Sequence, residues 1–259
     1  MQVNNRYKQI GVNQRIRLEW LETTANLVLA GNDRTAVMNE LRSLLNDKLS
    51  VGNTPVRGNR EKAVTILTKI WVNPAPEVGE LQNAGLDLLK VVPASMHRVL
   101  HWGMTMAAYP FWAAVAEQAG RLLSLQGTVA PAHVQRRLRE QYGERETVAR
   151  AARRVLRAFV DWEVLAESPK KGVYIEGTRQ AIEQPEITAW LIEALLHAQP
   201  IENASLSVLL DSPILFPFTL QHISASQLVA SSSHLDTLRH GLDEDLIMLH
   251  KSSCIAASM

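Results

Sequence analysis

Arginine is concentrated in one part of this chain, between residues 133 and 157. This stretch contains eight arginines and three glutamates, a local excess of five positive charges in a chain whose formal net charge is +1. A guanidinium group can pair bidentately with a phosphate or with the edge of a guanine base. The pattern therefore has two interpretations: a surface that contacts nucleic acid, or the solvated side of a helix that packs in the core.

The segment ETVARAARRVLRAFVDWEVL, at 146–165, separates its charged residues from its apolar ones. At about 100° per residue, the apolar residues between Val148 and Phe159 fall on one side of a helix, and the arginines fall on the other. These arginines are Arg150, Arg153, Arg154 and Arg157. The pattern predicts an amphipathic helix, which both interpretations require, so the neighbouring segments must distinguish them.

The neighbouring segments have the order found in winged helix-turn-helix domains. FWAAVAEQAGRLLSLQG predicts a first helix, PAHVQRRLREQY predicts a second, and Gly143 permits a turn into the third. After Leu165, AESPKKGVYIEG has a polar tip followed by alternating residues, as a short β-hairpin does. The third helix of such domains enters the major groove of duplex DNA. These neighbours favour the nucleic-acid interpretation.

Position within this unit predicts a role for each candidate residue. Thr147, Arg150 and Arg154 lie near the start of the third helix, so we expect them to reach base edges. The other cations are expected to hold phosphates or, on the hairpin, to reach the DNA backbone or the minor groove. They are Arg136, Arg137, Arg153, Arg157, Lys170 and Lys171.

Other residues that could carry chemistry form weaker patterns. His97 and His101 have the i,i+4 spacing of a metal-binding pair, but no third ligand is evident nearby, so we interpret them as core or helix-surface residues. The acidic run from Asp243 to Asp245 could hold a cation, but we interpret it as helix or loop surface. No phosphate-binding glycine loop or nucleophile motif occurs. We therefore predict no catalytic residues, no cofactor and no metal site.

Composition and cysteine content indicate an ordinary globular protein. The chain has 259 residues, of which 46% are hydrophobic and 20% are charged. Cys254 is the only cysteine and the N-terminus lacks an apolar signal-type stretch, so we expect a cytoplasmic protein. Residues 99–116 contain no Asp, Glu, Lys or Arg, but His101 and Pro110 argue against a membrane span. There we predict a buried helix, kinked at the proline.

The predicted fold is mainly α, in three segments. Residues 1–92 are expected to form a helical bundle, and residues 93–177 a core helix followed by the winged helix-turn-helix. Residues 178–259 are expected to form a small α+β region, with a helix near 187–197 and a strand at 214–221. A second basic edge is predicted on the N-terminal bundle. Its residues are Arg57, Arg60, Lys62 and Lys69.

Two stretches extend the comparison to a known family. LEWLETTANLVLAGNDRTAVMNELRSLLNDKLSVG, followed by the basic helix GNREKAVTILTKIW, resembles the opening of the BrxA family of small helical proteins from BREX phage-defence loci. The helical middle and the arginine-rich helix-turn-helix are similar in order. The resemblance implies a non-catalytic, DNA-binding component of a bacterial defence system, with other defence proteins as partners.

Three functions stay open at this point. The sequence favours a protein that binds double-stranded DNA, mainly by electrostatic contacts. One alternative is an interaction or scaffold subunit of a larger complex, whose arginines only keep it in solution. The other alternative is RNA binding, which a helical bundle with basic edges also supports.

Overall fold

The computed structural model of the chain describes residues 5–49, 58–240 and 244–250. This part of the chain is mainly helical, which confirms the predicted fold class at that level. The helices are α1 (Leu18–Leu29), α2 (Arg34–Leu44), α3 (Asn59–Trp71), α4 (Gly79–Val91), α5 (His97–Ala108), α6 (Pro110–Gln126), α7 (Pro131–Tyr142), α8 (Glu146–Asp161), α9 (Pro185–Ala198), α10 (Leu206–Leu210) and α11 (Ala225–Ala230).

Eight short strands form three small sheets in the described residues. They are β1 (Thr128–Val129), β2 (Leu165–Glu167), β3 (Tyr174–Glu176), β4 (Gln180–Ile182), β5 (Asn203–Ser205), β6 (Phe218–Leu220), β7 (Leu235–His240) and β8 (Glu244–Leu249). The first sheet is antiparallel in the order β1, β3, β2, and the last is antiparallel in the order β5, β8, β7. Between them, β4 and β6 pair in parallel.

Local sequence signals set several helix ends. The Asp33 side chain accepts a hydrogen bond from the main-chain N–H of Ala36 (2.8 Å) and so caps α2. Proline is the first residue of α6, α7 and α9. The first N–H groups of a helix have no acceptor within the helix, so proline, which lacks an N–H, costs no helical hydrogen bond at this position. Gly127 ends α6 in the left-handed region, with φ of 68°.

Pro110 separates two helices, so the prediction of one kinked helix is wrong. Tyr109, with φ of −132° and ψ of 87°, lies between α5 and α6 and is not helical. The residue before a proline is pushed out of the helical region by the proline ring, which accounts for this break. Within residues 5–49, 58–240 and 244–250, no helix combines the length and apolar character that crossing a bilayer requires.

Two predictions for the C-terminal region need correction. The expected strand at 214–221 is shortened to β6, because Pro213–Leu215 form a 3-10 turn and Pro217 has no N–H for a sheet. The acidic run was expected in a helix or a surface loop, yet Glu244 and Asp245 begin strand β8. Asp243 and Cys254 lie outside the described residues.

The core is continuous from the N-terminal helices to the C-terminal region. At its centre, α5 contacts α1, α3, α4, α6 and α9. One close contact with α9 is at Gly103, where a Cβ would lie 2.3 Å from the Trp190 ring, so only glycine fits. All six tryptophans are buried in this core. Because α9 packs on α4 and α5, the core crosses the boundaries at 92 and 177, and that division stays a prediction.

Candidate nucleic-acid interface

Residues 110–177 form a unit of three helices and a three-stranded sheet. Along the chain the order is α6, β1, α7, α8, β2, β3. The hairpin predicted after Leu165 is confirmed, since Ala166 in β2 faces Ile175 in β3 in antiparallel register. Gly172 in its turn has φ of 78°, in the left-handed region that favours glycine. The α7 helix packs on both α6 and α8.

The α8 helix has one buried and one exposed face, as predicted. Val148, Val155 and Phe159 are fully buried, together with the other apolar residues on their side. Thr147, Arg150, Arg153 and Arg157 are exposed on the opposite side. Four of the five residues predicted to contact nucleic acid from this helix therefore reach solvent.

Arg154 is the exception on this helix. It is half-buried, and its guanidinium donates a hydrogen bond to the main-chain carbonyl of Asn13. Burial lowers the pKa of Arg154, and the neighbouring Arg150 adds to that effect. The structure thus places this side chain, which was expected at a base edge, against the N-terminal segment.

The N-terminal segment of residues 12–16 lies along the second half of α8. The indole N–H of Trp162, just after α8, donates to the carbonyl of Ile16 (3.0 Å), and Arg15 forms an ion pair with Asp161. Val12, Gln14 and Ile16 are buried, while the residues between them are exposed. The segment therefore covers part of α8 near Asp161 and leaves the N-terminal half, from Thr147 to Arg153, accessible.

Two of the predicted arginines form exposed ion pairs. Arg153 lies 2.8 Å from Glu146, and Arg137 lies 3.2 Å from Glu140. Exposed pairs of this kind contribute about 0 to 1 kcal/mol, so a phosphate could replace the carboxylate at little cost. Arg136, Arg150 and Arg157 have no ion-pair or hydrogen-bond partner among the described residues.

The remaining predicted residues of the unit lie at its edges. Arg136 and Arg137 are exposed on α7 and line a groove that α7 forms with α6. Lys170 and Lys171 are exposed in the turn between β2 and β3. The Ser168 hydroxyl accepts a hydrogen bond from the Lys170 N–H (3.1 Å) and shapes this turn. The hairpin thus carries two positive charges at its tip.

The second basic edge is dispersed. Arg60 donates a hydrogen bond to the Asn46 side chain (2.8 Å), whereas the Lys69 ammonium lies 5.1 Å from the centre of the Tyr109 ring. Lys62 is exposed, and Arg57 lies outside the described residues. At about 100° per residue, Arg60 lies on the opposite side of α3 from Lys62 and Lys69. The three described side chains therefore do not form one continuous surface.

The histidine pair belongs to a polar cluster that links α1 to α5. His97 Nδ1 lies 3.0 Å from both carboxylate oxygens of Glu22, and His101 Nε2 lies 2.8 Å from one of them. The indole N–H of Trp71 donates to His101 Nδ1 (3.0 Å). Both histidines are thus hydrogen-bonded structural residues, in agreement with their interpretation from the sequence.

The Trp71 contact fixes which nitrogen of His101 carries the proton. An indole N–H can only donate, so Nδ1 must accept and Nε2 must carry the hydrogen that points at Glu22. A protonated Nε2 has no free lone pair for a metal ion. Glu22, His97 and His101 are therefore unsuited to a shared metal, and the described ranges contain no group of three or more His, Cys, Asp or Glu side chains that could hold a metal ion.

Glu22→Gln should remove an acid-sensitive contribution to stability. Hydrogen bonds from His101, and more weakly from His97, lower the pKa of Glu22 to about 2, whereas the unfolded value is near 4.5. This stabilisation is present above pH 4.5 and lost as pH falls towards 2. Because Glu22 is partly exposed, we expect Glu22→Gln to lower the free energy of unfolding at pH 7 by about 1 to 2 kcal/mol.

Urea unfolding at pH 7, 4.5 and 3 measures this contribution. The free-energy difference between wild type and Glu22→Gln should be largest at pH 7 and shrink as pH falls. The exposed Glu40→Gln serves as the control and should show no such trend. A constant difference between wild type and Glu22→Gln would contradict the assignment.

A second acid–histidine pair, buried Glu193 on α9 and half-buried His234 before β7, has no signal in the sequence. Their side chains lie 3.1 Å apart, and burial raises the pKa of Glu193 to about 7 although His234 partly opposes this. Forty-one positions separate the two residues, as is common for contacts that only tertiary packing creates. Glu22 was missed for the same reason. By contrast, the burial of Val12 and Ile16 agrees with a period-2 pattern of apolar residues between positions 10 and 18, which Gln14 interrupts.

The chain was compared with protein-family models, with curated proteins and with solved structures, and none of them matches it.

Proposed function

We propose that this protein binds double-stranded DNA through residues 110–177, as a winged helix-turn-helix unit. The observation that carries the proposal is the combination of element order, a β1, β3, β2 antiparallel sheet and an exposed arginine face on α8. In winged helices the third helix is the one that enters the major groove, and here that helix is α8.

The accessible half of α8 determines the expected docking. Thr147 and Arg150 are the residues we assign to base edges, because they lie in the N-terminal half that the segment of residues 12–16 leaves uncovered. Arg153 and Arg157 are assigned to phosphates, and Lys170 and Lys171 to the backbone or the minor groove. Arg154 is assigned to the contact with Asn13, as a positioning residue.

The proposed activity needs no catalytic residue and no cofactor. Most of the affinity should come from pairing of arginine and lysine with phosphates, so it should fall steeply as salt is raised. The proposed setting is the cytoplasm. From the resemblance to the BrxA family we further propose that the protein acts in a bacterial phage-defence system. This part of the proposal rests on the order of the sequence segments.

Competition between duplex DNA and structured RNA tests the choice of nucleic acid. A fluorescein-labelled 24-base-pair duplex of random sequence is bound by the protein at low salt, and unlabelled duplex or hairpin RNA is then added while anisotropy is followed. Unlabelled duplex should displace the probe at least about tenfold more effectively, because the deep, narrow major groove of A-form RNA does not admit a helix. Equal or better competition by RNA would favour RNA binding instead.

A further inference from the structure

A groove of about 670 Å³ lies between the outer faces of α6 and α7. The α6 residues that line it recur at helical offsets of three and four, and so do those of α7. Each helix thus presents one stripe of side chains to the groove. The residues that matter for recognition are Arg121, Leu122, Leu125, His133, Arg136 and Arg137.

The α6 side of the groove exposes apolar surface. Leu125 is 83% exposed, the largest value among the large hydrophobic side chains of the described residues. Leu122, one turn earlier on the same face, is half-buried. A single exposed leucine is common on protein surfaces. Here Leu125 and the exposed part of Leu122 lie on one face beside a groove and together form an apolar patch that a partner can cover.

The groove is also positively charged. Three arginines line it, against one acidic residue, Glu140. Arg137 pairs with Glu140 (3.2 Å), and Arg121 pairs with Glu117 (2.5 Å), which lies outside the groove. Arg136 has no ion-pair partner among the described residues. Negative charge is therefore the complement that this surface lacks.

We propose that this groove docks an acidic amphipathic α-helix of a partner protein. Two neighbouring helices with stripes at offsets of three and four accept a third helix by packing of ridges into grooves. Leucines of the partner would cover Leu122 and Leu125, and its carboxylates would pair with Arg136 and Arg137. Phosphates of a nucleic acid would pair with the arginines but would make no favourable contact with the leucines. A protein partner with both carboxylates and leucines therefore complements the whole surface better.

The groove is distinct from the exposed face of α8. None of the α8 residues assigned to DNA is among those that line it. The protein could therefore hold a helix and a duplex at the same time, and the docking proposal does not depend on DNA binding. It reassigns Arg136 and Arg137 from phosphates to a protein partner.

A designed peptide tests the docking proposal directly. The probe is a fluorescein-labelled peptide of about 18 residues, five helical turns, with leucine at i, i+3, i+4 and i+7 and glutamate and alanine elsewhere. A scrambled peptide of the same composition is the reference. By anisotropy with the full chain, we expect a dissociation constant of about 10 to 100 µM for the probe. The scrambled peptide should bind at least about tenfold more weakly, because its leucines no longer share one face.

Two variants locate the site, and a third separates it from the α8 face. Leu125→Glu and the double variant Arg136→Glu/Arg137→Glu should each weaken peptide binding about tenfold or more. Arg150→Glu/Arg153→Glu should leave it within about twofold. Far-ultraviolet circular dichroism checks that each variant keeps its helix content.

Three results would overturn the proposal. One is equal binding of the designed and scrambled peptides, which would reduce the effect to charge alone. Another is unchanged peptide binding in Leu125→Glu. The third is a larger loss of duplex binding than of peptide binding in Arg136→Glu/Arg137→Glu, which would assign the groove to nucleic acid.

Discussion

The double variant Arg150→Glu/Arg153→Glu is expected to bind duplex DNA at least about a hundredfold more weakly than wild type at 0.15 M salt. Each arginine lost from a base edge or a phosphate costs about 1 to 3 kcal/mol, and the new carboxylates add repulsion. Both side chains are exposed on the accessible half of α8, so their replacement should not disturb the core. Anisotropy with the 24-base-pair duplex measures the loss.

A control with the same change in charge separates the site from bulk electrostatics. Arg34→Glu/Lys90→Glu alters exposed residues on α2 and α4, away from residues 110–177. It should reduce duplex affinity by no more than about threefold, since long-range effects are screened at this salt. Equal losses in the two double variants would show that α8 has no special role.

The second large effect is expected on stability, from Trp102→Ala. Trp102 on α5 contacts Phe159 of α8 (4.9 Å between ring centres) and, by edge contacts, Trp112, Trp162 and Phe216. Its removal should cost about 3 to 5 kcal/mol, because the rigid surroundings cannot close over the cavity. Urea unfolding at pH 7 measures the loss, which is a large part of the total stability of a typical protein.

Trp102→Phe is the matched variant. The indole N–H of Trp102 has no hydrogen-bond partner among the described residues, so phenylalanine loses volume but breaks no hydrogen bond. We expect this variant to lose less than half of what Trp102→Ala loses. A cost below about 1 kcal/mol for Trp102→Ala would mean that α8 is not held by this aromatic cluster.

The bounds and faces of helices were predicted best from the sequence where local signals and burial agree. The bounds expected for α7 are those observed. Pro131 is favoured as the first residue of a helix, and Gly143 can adopt the positive φ that ends it. The two faces of α8 were also predicted, since its apolar residues repeat at the helical period. Near Pro110 the uninterrupted apolar character of residues 99–116 was misleading, because it continues through a proline that breaks the helix.

Contacts between distant parts of the chain could not be predicted in this way. Arg154 has the helical position of an exposed residue, but the segment that ends at Ile16 lies over it, about 140 positions away in sequence. Glu22 has an ordinary place on the polar side of α1 and becomes a partner of two histidines only through packing of α5. Helical periodicity reports which face is apolar, and it carries no information about which segment covers a polar residue.

The salt dependence of duplex binding tests the central claim most directly. The logarithm of the association constant is measured against the logarithm of salt concentration, for wild type and for Arg150→Glu/Arg153→Glu. Each phosphate contact contributes about −0.9 to the slope, so the wild type should have a steep slope and the variant, which loses the phosphate contact assigned to Arg153, one shallower by about 1. Equal slopes and equal affinities for the two proteins would contradict DNA binding by α8.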